Sequence, residues 1–149
     1  MRLDLKPVTL FSKRFAVLAG RDVLGDLTLG GEKGVKARLV LGDEVLVVRK
    51  DPADGVLLLE RRGVPEAQAV KTKRWARDYE VERVGERLRF ARPAGDERTF
   101  EAEADGRHLG HVHKPTYFSR RVEANMPDAW PVPFALFLTA LALFAWDDT

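Results

Sequence analysis

The sequence predicts a mainly β fold, an antiparallel closed β-barrel of about 10–12 strands that encloses a hydrophobic C-terminal α-helix. Three observations support this prediction. Short segments with alternating apolar residues follow one another between about residues 14 and 123. Turn dipeptides such as Asp54-Gly55 and Asp105-Gly106 separate them. The end of the chain is different, because no charged residue occurs from Ala129 to Trp146.

The predicted strands follow the order of the chain. The clearest is VKARLVL, which places Val35, Ala37, Leu39 and Leu41 on one face. The segment VPEAQAVKTKRWARD has Pro65 at a possible helix start, and we interpret it as a short helix or a long loop. The strands that we predict are RFAVLA, DVLGDLTL, VKARLVL, EVLVVRK, VLLLER, YEVERV, RLRFA, RTFEAEA, RHLGHVHK and TYFSRRVEA.

The apolar C-terminal segment predicts a helix from about Pro133 to Trp146. Residues 134–146 are mostly helix formers and are apolar on every side of the helix, whereas Pro131 and Pro133 suit a helix entrance. A helix of this length spans roughly 21 Å, and a bilayer core needs about 30 Å. We therefore prefer a helix enclosed by the strands to the alternative, a membrane anchor.

Composition limits the other possibilities. The 149 residues are 45% hydrophobic and 32% charged, which favours one globular domain over residues 1–149. The chain has no cysteine, which excludes disulfides and thiol chemistry and agrees with a cytoplasmic protein. The N-terminal residues lack the apolar stretch of a secretory signal. The formal net charge is only +2, so nucleic acid is not an expected partner.

The order of the last elements resembles that of a known group of folds. In TYFSRRVEANMPDAWPVPFALFLTALALFAW, a final strand is followed by a proline-bearing connection and an apolar helix. This arrangement is similar to the tubby C-terminal-like superfamily, which includes the phospholipid scramblases and the LURP-one-related proteins. The resemblance is architectural and covers the whole chain, which is shorter than a typical tubby domain. It implies a barrel around a helix that binds phosphoinositides or other membrane lipids through basic surface residues.

The candidate ligand-binding residues lie between Arg61 and Arg77. This stretch combines several cations with one acidic residue, Glu66, and with a tryptophan that suits a membrane–water boundary. Arginine binds phosphate in a bidentate manner, so an anionic lipid headgroup is the predicted ligand. The alternative is an ordinary solvated face. The candidate residues are Arg61, Arg62, Lys71, Lys73, Arg74, Trp75 and Arg77.

The histidines suggest a weaker hypothesis. His111 and His113 lie two residues apart, so on a strand they share a face and form half of a metal site, to which Asp105 could add an oxygen. A polar outer strand face explains them equally well. The sequence contains no catalytic motif of the G-x-S-x-G, phosphate-loop or H-E-x-x-H type.

From these observations we expect a non-enzymatic binding module without a cofactor, located in the cytoplasm and able to associate peripherally with a membrane. Its predicted partner is an anionic lipid or membrane surface. A protein-interaction or structural domain is the first alternative, and an enzyme that uses His111 and His113 at the barrel mouth is the second. The sequence leaves the oligomeric state open.

Overall fold

A computed structural model describes residues 1–73, 78–116 and 119–147. Within these ranges the chain forms twelve strands and one helix. The helix α1 is Val132–Asp147, one residue longer at each end than the sequence predicted. The strands β1 to β12 are Arg2–Pro7, Arg14–Ala19, Asp22–Leu29, Val35–Leu41, Glu44–Lys50, Leu57–Arg61, Val64–Lys71, Tyr79–Arg83, Glu86–Ala91, Thr99–Ala104, Arg107–His113 and Val122–Asn125.

The strands form a closed antiparallel barrel. Each strand pairs with its neighbours in sequence, and β1 closes the sheet by pairing with both β2 and β12. In this closure Leu5 lies opposite Val17 on one side and opposite Val122 on the other. The predicted fold class, a closed barrel with one C-terminal helix, is therefore confirmed.

The helix α1 lies in the interior of the barrel. Its side chains from Phe134 to Leu143 are all buried, and so is Ala145. Inward strand residues such as Leu39, Phe90 and Phe100 complete the core around it. Among the described residues, no helix is both long enough and apolar enough to cross a bilayer.

Two strands lie where none was predicted. The strand β1 precedes residue 14, at which we expected the sheet to begin. The first eight residues of the segment predicted as a short helix or long loop form β7, with Ala67 and Ala69 buried, and residues 74–77 of that segment lie outside the described residues. The register of β6 and β7 shifts between Leu59 and Glu60, and Pro65 lies opposite Glu60 at this bulge. A bulge is one of the few places where a strand accepts proline.

The two ends of the barrel differ. Five connections, at residues 20–21, 42–43, 62–63, 84–85 and 105–106, are two-residue turns on the side where α1 begins, and we call this side the turn end. The other connections between strands start and finish on the side where α1 ends, and we call this side the loop end. Their described residues are 8–13, 30–34, 51–56, 72–73, 78, 92–98, 114–116 and 119–121. Binding and catalytic residues concentrate on loops that a rigid scaffold positions, so a functional site is expected at the loop end.

Candidate functional site

Five lysines surround a cavity at the loop end. Lys50 and Lys71 are the last residues of β5 and β7, and Lys13 precedes β2. Lys36 occupies a bulge near the start of β4, and Lys73 follows β7. All five are exposed and line a cavity of about 600 Å³. The barrel register thus brings together cations that are widely separated in sequence.

Apolar side chains also line this cavity. Leu29, Leu57 and Ala69 from the strands and Phe144 from α1 contribute to its lining. A volume of this size falls within the range of small-molecule and headgroup sites, which combine an apolar lining with a few convergent polar groups. The cavity therefore has the shape and chemistry to hold a compact anion with an apolar attachment.

The five lysines have few opposing charges. Asp54 and Asp147 are the acidic residues of the cavity lining. None of the five lysines forms an ion pair with any residue in the described ranges. Like charges held together without counter-ions attract an external anion, and cavity walls of low dielectric strengthen that attraction. The site consequently favours anionic ligands.

An apolar loop tip lies at the same end. In the connection between β1 and β2, the side chains of Leu10 and Phe11 are 74% and 87% exposed. Phe11 is separated from Lys13 of the cavity rim by Ser12 alone. Exposed aromatic and aliphatic side chains beside lysines are typical of surfaces that partition into a membrane interface.

The loop that presents this tip is held in place. The amide of Ser12 donates to the carbonyl oxygen of Thr9 at 3.1 Å, and Ser12 Oγ accepts from the amide of Arg14 at 3.0 Å. The guanidinium of Arg120 donates to the carbonyl oxygens of Leu10 and Ser12. These bonds fix the backbone, so the exposed tip is a feature of the folded chain.

The last turn of α1 is attached to the same end. Trp146 Nε1 donates to the carbonyl oxygen of Glu97 at 2.9 Å, and its ring meets Phe100 edge-on at 5.5 Å. Lys114 Nζ lies 4.7 Å from the centre of the Trp146 ring. Trp146 thereby connects the enclosed helix to two of the loops.

Partial burial is the main cause that lowers the pKa of Lys114. Asp147 opposes this effect, and Arg120 adds to it. Lys114 lies over the Trp146 ring and does not line the cavity. We therefore do not count it among the candidate anion-binding residues.

The structure separates the candidate residues of the Arg61–Arg77 stretch. Arg61 and Arg62 lie at the turn end, whereas Lys71 and Lys73 lie at the loop end. The whole of β7 separates the two groups, a distance of roughly 23 Å at about 3.3 Å per residue. Arg61 also pairs with Glu44 at 2.5 Å and with Glu66 at 2.6 Å. Arg74, Trp75 and Arg77 lie outside the described residues.

The histidines lie on the outer face of β11. His111 Nε2 is 3.2 Å from Asn125 Nδ2, and His113 Nδ1 is 3.0 Å from Thr99 Oγ1. The amide nitrogen of Asn125 is a donor, so it assigns His111 Nε2 as the acceptor. Both rings thus have hydrogen-bond partners within the sheet.

A β-bulge adds the third histidine to this face. The register of β10 and β11 shifts so that Leu109 is the extra residue, which places His108 beside His111 with ring centres 5.8 Å apart. Partial burial is the main cause that lowers the pKa of His111, and the charges of His108 and His113 lower it further. In the part of the chain that the structure describes, no three His, Cys, Asp or Glu side chains are arranged so that they could hold a metal ion.

Sequence reasoning missed three of the cavity lysines and the apolar tip. Lys13, Lys36 and Lys50 are far apart from one another in the sequence, so no single charge run marks them as a group. The available signal was positional, since each lies at a strand end beside a connection of five or more residues. Leu10 and Phe11 stand out in the same way, as a pair of apolar residues between two strands.

No protein-family model, curated protein or solved structure matches this chain. The function is therefore inferred from the fold and from the residues of the loop end.

Proposed function

We propose that this chain is a non-enzymatic binding module that docks on anionic membrane surfaces through its loop end. The observation that carries the proposal is the combination of five lysines without ion-pair partners in the described ranges and the exposed tip of Leu10 and Phe11. The lysines would meet lipid headgroups, and the tip would enter the interface beside them. The location that we propose is peripheral, at a membrane surface.

The free energies that the lysines and the apolar tip contribute indicate that both are needed for docking. A lysine near an anionic leaflet contributes about 1 kcal/mol, and this attraction weakens as salt rises. Full burial of a leucine or phenylalanine side chain contributes about 1.5–3 kcal/mol, with little salt dependence. Neither feature gives a strong anchor by itself, and stable association usually needs two such signals.

The turn end also exposes apolar side chains, those of Val23, Val45, Val64 and Val84, but its charges are of mixed sign. Its charged turn residues alternate in sign, as Arg21 with Asp22 and Asp105 with Arg107. Arg61 there is neutralised by Glu44 and Glu66. A membrane surface approaching this end would meet charges of both signs, so we assign docking to the loop end.

The fold is compatible with the resemblance noted in the sequence. A closed barrel around a C-terminal helix is the architecture expected of a tubby-like or scramblase-like protein, and lipid binding through basic residues is the property that this resemblance implies. We therefore propose this relationship together with the function. The basic residues of the proposal are the cavity lysines, of which Lys71 and Lys73 belong to the originally predicted stretch.

Co-sedimentation with vesicles tests the proposal. The protein should bind vesicles that contain phosphatidylserine and should not bind vesicles of phosphatidylcholine alone. The triple variant Lys36→Gln, Lys50→Gln, Lys71→Gln should lose about 3 kcal/mol, or roughly a hundredfold in affinity. Equal binding to both kinds of vesicle, or binding to neither, would contradict the proposal.

A matched control removes the same charge from the other end. Arg21, Arg62 and Arg107 are exposed at the turn end and form no ion pair with the described residues. Changing all three to glutamine should leave vesicle binding within about twofold, because charges more than a Debye length from the membrane are screened.

A further inference from the structure

We propose that the turn end holds a second site, which binds a small organic carboxylate with an apolar body. A cavity of about 440 Å³ lies beside the entrance of α1. Pro65 of β7, Val84 of the turn between β8 and β9, and Pro131 and Phe134 of the helix entrance form its walls. The cavity is lined mainly by apolar residues, and its size falls within the range of small-ligand sites.

Arg83 supplies the polar group of this site. Its side chain lines the cavity, and its Cζ lies 5.2 Å from the centre of the Phe134 ring. Its Nε is buried and has no hydrogen-bond partner among the residues that the structure describes. A buried donor without a partner costs free energy, which would be recovered when the side chain turns Nε toward an acceptor in the cavity.

Two carboxylates near Arg83 have other partners, and Glu86, which lies opposite Arg83 in the register of β8 and β9, forms no ion pair with it. Glu66 pairs with Arg61 at 2.6 Å, and Glu82 pairs with Arg87 at 2.6 Å. In the described ranges Arg83 itself has no carboxylate partner. A guanidinium group offers a planar set of donors that matches a carboxylate in a bidentate manner. A carboxylate ligand would therefore supply the counter-ion that Arg83 lacks.

The backbone at Val84 points to the same cavity. Val84 has a φ of +42°, in the left-handed region that β-branched residues rarely adopt, although its side chain is 89% exposed. Arg62 and Asp105 occupy the same position in two neighbouring turns, and glycine or asparagine would suit it better. The two-residue turn requires this conformation, and it places the exposed Val84 so that it forms a wall of the cavity.

The opposite walls are rigid. Pro131 and Pro133 have fixed φ angles, and the carbonyl oxygen of Pro131 accepts from the amides of Phe134 and Ala135 at 3.1 and 3.2 Å. The Phe134 ring also packs edge-on against Trp130, with ring centres 5.0 Å apart. Walls held in this way exist before the ligand arrives, which reduces the ordering cost of binding.

Calorimetric titration with octanoate and with phenylpropionate tests the inference, with octanamide as the uncharged match of octanoate. Both carboxylates should bind, and octanamide should bind about tenfold to a hundredfold more weakly than octanoate, because it cannot pair with the guanidinium. Arg83→Gln should reduce carboxylate binding by the same factor and leave octanamide unchanged. Arg107→Gln, at an exposed turn-end arginine without an ion pair in the described ranges, is the matched control and should change neither.

Further variants keep the result unambiguous. Val84→Gly removes one wall and should weaken octanoate and octanamide alike, while circular dichroism shows that the fold is retained. Octanoate also suits the lysine-lined cavity of the loop end, so the titrations are repeated in the triple lysine variant, where the dependence on Arg83 should persist. This inference and the membrane proposal therefore fail or succeed separately. Absence of carboxylate binding, equal binding of octanoate and octanamide, or an equal loss in Arg83→Gln and Arg107→Gln would overturn it.

Discussion

Thr139 Oγ1 donates to the carbonyl oxygen of Ala135 at 2.8 Å, one turn earlier in α1. Both residues are fully buried inside the barrel. A hydroxyl group enclosed by apolar side chains costs free energy unless it has a partner, and here the helix itself supplies one. The enclosed helix therefore carries a polar side chain without needing a polar group on the barrel wall.

A charged side chain in this helix would have no partner of this kind. Leu138→Asp or Leu141→Asp would bury a carboxylate in an interior where both positions are fully enclosed. The penalty of several kcal/mol is comparable to the whole stability of a domain, about 5–15 kcal/mol. We expect insoluble or unfolded protein, whereas the control Leu138→Met should cost less than about 1.5 kcal/mol. Soluble aspartate variants that unfold cooperatively in urea would contradict the enclosed helix.

Two glycines hold equivalent positions in two bulged hairpins. Leu24 and Leu109 are the extra residues of the β2–β3 and β10–β11 hairpins, and a glycine follows each of them. A Cβ at Gly110 would lie 2.5 Å from the carbonyl oxygen of Asn125, and a Cβ at Gly25 would lie still closer to that of Val40. These contacts explain why both positions need glycine.

Gly110→Ala should therefore destabilise the fold by about 1–3 kcal/mol, since the clash is with backbone atoms that cannot move aside easily. Gly106→Asn, in the turn of the same hairpin, is the control: its φ is +75° with no atom within 4 Å of a Cβ, and asparagine tolerates that conformation. Urea unfolding measures both changes. Equal stability of the two variants would show that the close approach is unimportant.

The Asp96 carboxylate stabilises the loop before β10. It accepts from the amide of Arg98 at 2.9 Å and from the hydroxyl of Thr99 at 2.9 Å, and these bonds lower the pKa of Asp96 in that order of importance. In Asp96→Asn the amide nitrogen cannot accept from Thr99. We expect a loss of about 1 kcal/mol at neutral pH.

The sign of the pH dependence follows from the lowered pKa. The stabilisation is fully present above the unfolded-state value of about 3.9 and is lost as pH falls through the lower folded-state pKa. The difference between Asp96→Asn and the unaltered protein, measured by urea unfolding, should therefore shrink in acid. Asp22→Asn, at an exposed turn-end residue, should show no comparable change. A cost for Asp96→Asn that is the same at neutral and acidic pH would contradict this account.

The lysines and the apolar tip should respond differently to salt. Vesicle affinity lost in the triple lysine variant should be large at low salt and small at high salt, because screening already removes that attraction. Affinity lost in Leu10→Ser, Phe11→Ser should change little with salt. Sedimentation across a salt series measures both. Identical salt dependence in the two variants would mean that the tip does not enter the membrane.

Local patterns predicted most of the fold. Ten of the strands and α1 were recognised because alternation or continuous apolarity marks them in the sequence. The strand β1 was missed because it offers only Leu3 and Leu5 as buried residues. The segment of β7 was taken for a helix or loop because its buried residues, Ala67 and Ala69, are helix formers, and because Pro65 suits a helix start.

The candidate site was less predictable for a physical reason. A continuous charge run along a strand spreads from one end of the barrel to the other, as Arg61 and Lys71 show. A cluster at one end is assembled instead from separate strand ends, such as those of Lys36 and Lys50, and its members meet only through the register of the closed sheet. Local sequence does not encode that register directly.

The most direct test of the central claim asks which end of the barrel meets the membrane. The chain has no cysteine, so Thr9→Cys at the loop end and Arg21→Cys at the turn end each provide one site for an environment-sensitive fluorophore. On addition of phosphatidylserine-containing vesicles, the label at position 9 should shift to shorter wavelength and the label at position 21 should not. A shift at position 21, or no shift at either position, would contradict docking through the loop end.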